Sequence, residues 1–274
     1  MKTTTKPLLA ILTTTVSAVL AFAPPSEAAS INWGAATTIS GNSDVSTSGS
    51  VIGAFTVGDG GVSAATVNGV TFAPFALNSS GGPVSSGTVG NFTLSTADLF
   101  LSDNTFYGST AAPFSALSAA YKTILSSSTI TSIPNTFSLT MAGLTAGQPY
   151  QFQWWAATAH PLTGPNGQPV QGSDKHSATA GNTVILDDNP SGLEGGLGQF
   201  AIGTFVADAG SQTVTFAAFE PSGGPGFAQL NAFQLRAVAP SVPETASLLA
   251  GMLPIGVLLL GRFIRRGATT AVKV

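Results

Sequence analysis

Between Ile31 and Val238 the chain is written in short runs of alternating apolar and polar residues, each closed by Gly, Ser, Asn or Pro. That rhythm has the two-residue period of strands and confines most of the chain to β structure. The clearest run is "PYQFQWWA" from Pro149, with "INWGAATTI" from Ile31, "SVIGAFTV" from Ser50, "TVNGVTF" from Thr66 and "GNFTLST" from Gly90 before it. "NTFSLTMAG" from Asn135, "NTVILDD" from Asn182, "GQFAIGTFVA" and "QTVTFAAF" around a turn at 208–211, and "LNAFQLRAV" from Leu230 complete the set. Asn68-Gly69 suits a two-residue hairpin turn, because both residues accept positive φ. "PNGQPVQGSDKHSATAG" from Pro165 reads as one long loop, the kind of segment in which binding features concentrate.

One segment breaks the rhythm. In "PFSALSAAYKTIL" the large apolar residues Phe114, Leu117, Tyr121, Ile124 and Leu125 fall on one helical stripe, and Pro113 suits a first turn. The spacing predicts one short amphipathic helix across an edge or open end of the strands. Many short strands with a single helix predict a mainly β fold: one β-sandwich of jelly-roll type spanning 29–240.

Within 29–240 the basic residues are Lys122, Lys175 and Arg236, against ten Asp and Glu, a formal charge of −7. Nothing there could neutralise a run of phosphates, so nucleic acid is not an expected partner. The polar surface must be Ser, Thr, Asn, Gln and Gly, which hydrogen-bonds neutral polar matter, sugars included. The chain has no cysteine, which removes disulfides and Cys-ligated zinc, and a sandwich of this size can be held by its core alone.

Titratable residues are too few and too scattered to suggest catalysis. His160 and His176 read as loop residues, and Asp174 with His176 makes only two candidate metal ligands. Asp187 and Asp188 are adjacent on a strand and point to opposite faces, so they cannot flank one glycosidic bond. Glu194 lies in the glycine-rich "SGLEGGLG" with no evident partner, and there is no Gly-x-Ser-x-Gly elbow. The chain is therefore read as non-enzymatic. A structural calcium ion is a minor candidate at "GNSDVS" (Gly41) or "LDDNPSGLE" (Leu186), whose oxygens turn chemistry explains equally well.

A binding face has one better signal. Along the strand from Tyr150, Tyr150, Phe152 and Trp154 share one side, and Gln151, Gln153 and Trp155 the other. If the second side faces outward, an indole beside two amides is a sensible carbohydrate platform. The competing reading packs Trp155 beneath the following loop or the helix.

Both ends read as addresses. Lys2 and Lys6, the apolar stretch to Ala23 and the small residues Ser26 and Ala28 predict a signal peptide over 1–28. At the other end, 17 uncharged residues run from Thr245 to Gly261. As a helix they reach about 26 Å, close to the thickness of a bilayer core. Arg262, Arg265 and Arg266 follow and would hold that end in the cytoplasm.

The order Val242-Pro243-Glu244, a short transmembrane helix (about 245–261) and an arginine cluster (262–266) resembles the PEP-CTERM sorting signal of Gram-negative bacteria. Thr245 stands where that family usually has a second proline. The resemblance implies recognition by an exosortase in the inner membrane and passage of the sandwich to the cell surface. An ordinary tail anchor is the alternative. "GLTAGQPYQFQWWA" with "FAIGTFVADAGSQTVTF" also resembles galactose-binding-like sandwiches of carbohydrate-binding modules, and a fibronectin type III strand entry is similar. "SGNSDVSTSGSVIGAFTVG" looks like exported sandwich proteins of Planctomycetes-type bacteria that carry such tails, which implies a setting and no activity. The reading is an exported protein of the cell surface or extracellular polysaccharide matrix. A carbohydrate-binding module is the leading alternative, and a secreted hydrolase, lacking a visible nucleophile, ranks below both.

Overall fold

The computed structural model describes residues 29–77, 84–131, 136–163, 169–170, 174–219 and 227–239. The signal segment, the apolar tail and the sorting residues Val242, Pro243, Glu244, Arg262, Arg265 and Arg266 lie outside them. No helix among the described residues is long and apolar enough to cross a membrane.

The described strands are β1 (Asn32–Trp33), β2 (Thr37–Thr38), β3 (Ser50–Gly58), β4 (Ala65–Val67), β5 (Val70–Ala76) and β6 (Val84–Val89). Next come β7 (Phe92–Asp103), the helix α1 (Ala119–Ser126), β8 (Ser128–Thr131), β9 (Phe137–Ala142) and β10 (Pro149–Ala156). A small ribbon of β11 (Leu162–Thr163) and β12 (Pro169–Val170) precedes β13 (Lys175–Ala180) and β14 (Asn182–Asp187). The series ends with β15 (Gln199–Val206), β16 (Ser211–Ala218), β17 (Ala228–Leu230) and β18 (Ala232–Ala237).

These form two eight-stranded sheets packed as a sandwich. The first runs β1-β15-β10-β18-β3-β5-β4, with β2 beside β15; the second runs β14-β13-β16-β9-β7-β8-β17, with β6 beside β7. β3 and β5 pair parallel, and the other described ladders are antiparallel. Tyr150, Phe152 and Trp154 of β10 point into the space between the sheets with Phe233 and Leu235 of β18. Phe92, Leu94, Leu139, Met141, Val214 and Phe216 meet them from the second sheet. Trp154 crosses the gap to set its ring edge-to-face on Phe216 at 5.1 Å and 72°, a geometry aromatic quadrupoles favour.

The expected helix stripe is buried throughout, but the helix itself is shorter than the stripe. Phe114–Ala116 is a 3-10 turn, Leu117 is extended, and α1 starts only after Ser118, whose side chain accepts from the Tyr121 N–H at 3.2 Å. A serine in that position is a good N-cap and fixes the start. The helix lies over the edge strand β4 and reaches inward from it: its apolar side packs with Trp155, Phe72, Phe200 and Ala232 on the outer face of the first sheet, in a second core. The Asn68-Gly69 turn forms as expected, with φ of 50° and 75° between β4 and β5.

Two readings change. The run from Ile31 to Ile39 is two two-residue strands rather than one. The expected long loop from Pro165 contains β13, which lies between β14 and β16. Its inward positions are His176, Ala178 and Ala180, too small or too polar to show an apolar alternation.

The two cores are joined by Asn231, fully buried. Its Nδ2 donates to the carbonyls of Leu125, Ser127 and Ala157 at 2.8, 2.9 and 3.0 Å, and its Oδ1 accepts from the Ala157 N–H at 2.8 Å. The residue thereby ties the end of α1 to the chain leaving β10. Asn231→Ala should strand these buried groups and cost about 3 kcal/mol. Urea unfolding would show it as a lower midpoint at unchanged slope.

Candidate functional site

Gln151, Gln153 and Trp155 do share the outer side of β10, but that side is covered. Gln153 Nε2 donates to the Asp44 carbonyl at 2.7 Å, and its Oε1 accepts from the Ser46 N–H at 3.0 Å and from Gln234 Nε2 at 2.7 Å. Gln151 Oε1 accepts from the Ser46 hydroxyl. Beside them Arg236 donates to the carbonyls of Ser48, Thr47 and Gly49 at 2.6, 3.0 and 2.7 Å. This polar ladder is spent on the backbone of segment 44–49, which has no sheet partner and needs acceptors and donors for its own groups.

Trp155 is fully buried. Its Nε1 donates to the Tyr121 hydroxyl at 3.0 Å, which in turn donates to Asp44 Oδ2 at 3.3 Å, and its ring meets Phe72 edge-to-face at 5.6 Å. The carbohydrate platform read from this strand is therefore corrected: α1 must bury its stripe, and the indole is the apolar surface it buries it on.

The candidate calcium loops are also committed internally. Asp44 accepts from the N–H groups of Ser40 and Gly41 at 2.7 and 2.9 Å and from the Ser40 hydroxyl at 2.6 Å. Asp187 holds Lys175 Nζ at 2.7 Å, and Asn189 Nδ2 donates to the carbonyls of His160 and Leu193. Among the described residues no group of three or more His, Asp or Glu is placed to hold a metal ion.

The exposed chemistry gathers instead at the end of the sandwich where β10 finishes and β13 begins. Asp103 Oδ1 accepts from the N–H groups of Thr105 and Phe106 at 2.8 and 2.7 Å, turning the chain so that Phe106 projects, 63% exposed. Its ring stands edge-on to Tyr107 at 5.3 Å and 5.9 Å from the His160 imidazole. The Ala159 N–H donates to the Tyr107 carbonyl at 2.9 Å and so fixes both segments together. Between them opens a cleft of about 310 Å³, lined by Phe106, Tyr107, Ile130, Thr158, His160, Pro161, Asp174, Asp188, Phe227 and Gln229. Phe227 is 40% exposed, and Tyr107 and Asp188 are buried at the floor. Burial, with the charges of Asp103 and Asp188, pushes the Tyr107 phenol up, keeping it protonated. A second, shallower cleft of about 440 Å³ lies alongside, sharing His160 and lined by Ser109, Lys122 and Glu194.

His176 lies on a strand rather than in a loop, and Glu194 lies in its glycine-rich loop as expected but has partners there. His176 is fully buried on β13, with Nε2 3.3 Å from Asp188 Oδ2 and neither ring nitrogen in a well-formed hydrogen bond. Asp187 and Asp188 do point apart, one to Lys175 and the other inward. Burial raises the Asp188 carboxyl, against the opposing pull of His176. Glu194 has two partners: it accepts from the Ser109 hydroxyl and meets His160 Nδ1 at 2.9 Å, and these contacts, Ser109 first, hold it below the usual carboxylate range. The carboxylate sits between the serine and the imidazole. A relay that activates serine needs the imidazole in the middle, and this order does not supply it.

No protein-family model matches the chain, and no curated protein matches it. Among solved structures it is similar to the enzymatically active domain of tailspike protein 4 of bacteriophage CBA120, at 13% identity and a TM-score of 0.31. That likeness covers 54% of this chain and 20% of the other, so this chain spans about a fifth of the length of that solved chain. It is also similar, at 13% identity and a TM-score of 0.17, to a structure concerned with the promiscuous specificity of carbohydrate-binding modules from the β-sandwich superfamily, over 60% of this chain and 71% of that one.

Two outcomes follow from this geometry. Trp155→Ala should lose about 3–5 kcal/mol of stability, as a buried aromatic truncation does, whereas Phe106→Ala should stay within about 0.5 kcal/mol of the parent; thermal unfolding of both separates a core residue from a surface one. The second concerns pH. Asp188 is raised from an ordinary value of 3.8, so above that value the folded state keeps a proton that the unfolded chain has lost. Its contribution is complete below the ordinary value and is lost as pH rises through the higher folded one. Asp188→Asn should remove that downward slope, seen in urea midpoints of parent and variant compared between about pH 4 and pH 7.

Proposed function

We propose that this is an exported cell-surface or extracellular-matrix protein that acts by binding saccharide in the cleft beside Phe106. The observation that carries the reading is the cleft's composition. Two exposed phenylalanines, Phe106 and Phe227, rim a cleft whose lining also carries the polar side chains of Thr158, His160 and Asp174. Aromatic rings accept the C–H faces of a sugar while the polar groups bond its hydroxyls. An end cleft between two packed sheets also presents that surface without disturbing either core.

The rest of the reading comes from the sequence. The signal peptide at 1–28 begins export, and the tail, with Val242, Pro243 and Glu244 before its apolar span and Arg262, Arg265 and Arg266 after it, holds an inner-membrane intermediate for an exosortase. Processing then passes the sandwich, of jelly-roll type in this reading, to the cell surface, where extracellular polysaccharide is the partner. A tail anchor without processing gives the same topology but keeps the protein at the membrane.

Both halves are open to experiment. In an exosortase-positive host, fractionation should recover surface protein lacking the arginine cluster; stable full-length protein in the inner membrane contradicts the sorting half. For the binding half, the full chain in a neutral detergent should be retained on at least one polysaccharide of a panel, with retention reduced about tenfold by Phe106→Ala. No retention on any of them contradicts it.

A further inference from the structure

We propose that the end of the sandwich opposite the Phe106 cleft is a membrane-facing surface, resting on the bilayer that holds the C-terminal tail. This depends on the reading of 245–261 as a membrane span, and the two are tested apart. Strand register fixes what gathers at that end. β15, β10, β18 and β3 lie side by side, with Val206 opposite Pro149, Gln151 opposite Arg236, and Arg236 opposite Val51. Their ends present Val206 at 54% exposure, Val51 at 45% and Ile52, the extra residue of the β3 bulge, at 44%. Exposed aliphatic side chains are ordinary taken singly; here the chain's own exits supply an occupant for them.

The chain leaves the sandwich at this end. Val238 donates its N–H to the Pro149 carbonyl at 3.0 Å, and its own carbonyl accepts from Gln148 Nε2 at 2.7 Å, so the exit is fixed one strand from Val206. Residues 240–244 separate the described residues from the apolar run at Thr245, and five extended residues reach about 17 Å at most. The signal segment joins at the same end, because β1 sets Asn32 opposite Thr204, two residues before Val206.

Charge is distributed to match. The loops at this end, 90–91, 143–148 and 207–210, carry one charged side chain, Asp208, whereas Asp59, Asp103, Lys175, Asp187 and Glu194 lie at the other end. Two of these loops also pair their backbones. The Leu144 N–H donates to the Gly210 carbonyl at 3.0 Å, the Gly147 N–H to the Ala207 carbonyl at 2.7 Å, and the Ala207 N–H to the Gln148 carbonyl at 3.1 Å. Backbone groups paired in this way lose little when lipid headgroups replace water. Aliphatic side chains gain by leaving water at such an interface, and an end with one charge gives up little hydration. The arrangement turns the Phe106 cleft away from the bilayer, about 26 Å out along the eight-residue β10.

The chain has no cysteine, so Val206→Cys and Leu193→Cys each accept a single fluorescent label. Leu193, 54% exposed in the 189–196 loop, marks the cleft end. The full chain is reconstituted in phosphatidylcholine vesicles with and without a lipid carrying a nitroxide on its headgroup. Flotation with the vesicles tests the span, and nitroxide quenching tests the surface. The nitroxide lipid should dim the Val206 label at least about twofold more than the Leu193 label, and Ile52→Asp should remove about half of that difference. Flotation with the two labels quenched alike, or neither quenched, overturns the surface and leaves the span standing. Quenching that Ile52→Asp leaves unchanged reduces the contact to what a short tether imposes and also overturns it. Shielding of the Val206 label from a water-soluble quencher without nitroxide quenching assigns the surface to a second copy of the chain instead. Failure to float overturns the span and the surface together.

Discussion

The first sheet has to be covered on both sides, and the rest of the molecule is arranged to do it. Its central strands β10 and β18 carry large apolar residues on one face and, on the other, Gln153, Gln234, Arg236 and Trp155, all buried. The second sheet closes the first face. No second sheet is available for the other, so the chain uses segment 44–49 over the amides and α1 over the indole. Burying an amide or guanidinium without partners costs several kcal/mol, and every one of these is matched to a backbone carbonyl or N–H that would otherwise lack a partner. Asn231 makes the same kind of bargain between the two cores.

That cover explains where binding chemistry can be. One outer face is closed by the helix and the N-terminal segment, and the cleft beside Phe106 lies at the end of the sandwich, among the connections leaving β7, β10 and β14. These connections are not slack. The Phe106 turn is pinned by Asp103, the His160 segment by Asn189 and the Tyr107 carbonyl, and the 189–196 loop by Asn189 and Ser191. A cleft held this way keeps its shape before a ligand arrives, which lowers the entropy lost on binding.

Much of the fold was legible because its signals are local. "PYQFQWWA" alternates from Tyr150 to Trp154 and is a strand from Pro149 to Ala156; the Phe114–Leu125 stripe buries every member; Asn68-Gly69 takes the positive-φ turn that both residues accept. β13 was not legible, since "KHSATA" places a histidine and two alanines inward, and only the partner strands reveal that face as core. The platform was misplaced for a related reason. Period two assigns Gln151, Gln153 and Trp155 to one side but says nothing of what lies above it, and the cover comes from residues about 30 and 100 positions away. The cleft could not be read either. Phe106, His160, Asp174, Asp188 and Phe227 are scattered over more than 120 residues, with no shared motif. The nearest signal was the aromatic pair Phe106-Tyr107 in an otherwise polar stretch.

The account depends most on Trp155 being core and not surface. Acrylamide quenching of a Trp33→Phe variant, which leaves only Trp154 and Trp155, examines that residue directly. Both indoles should resist quenching in the folded protein and yield to it on unfolding. Quenching of a substantial fraction of the native emission at the rate of free indole would place Trp155 in solvent, reopen the β10 face as the binding surface, and contradict the assignment of the cleft.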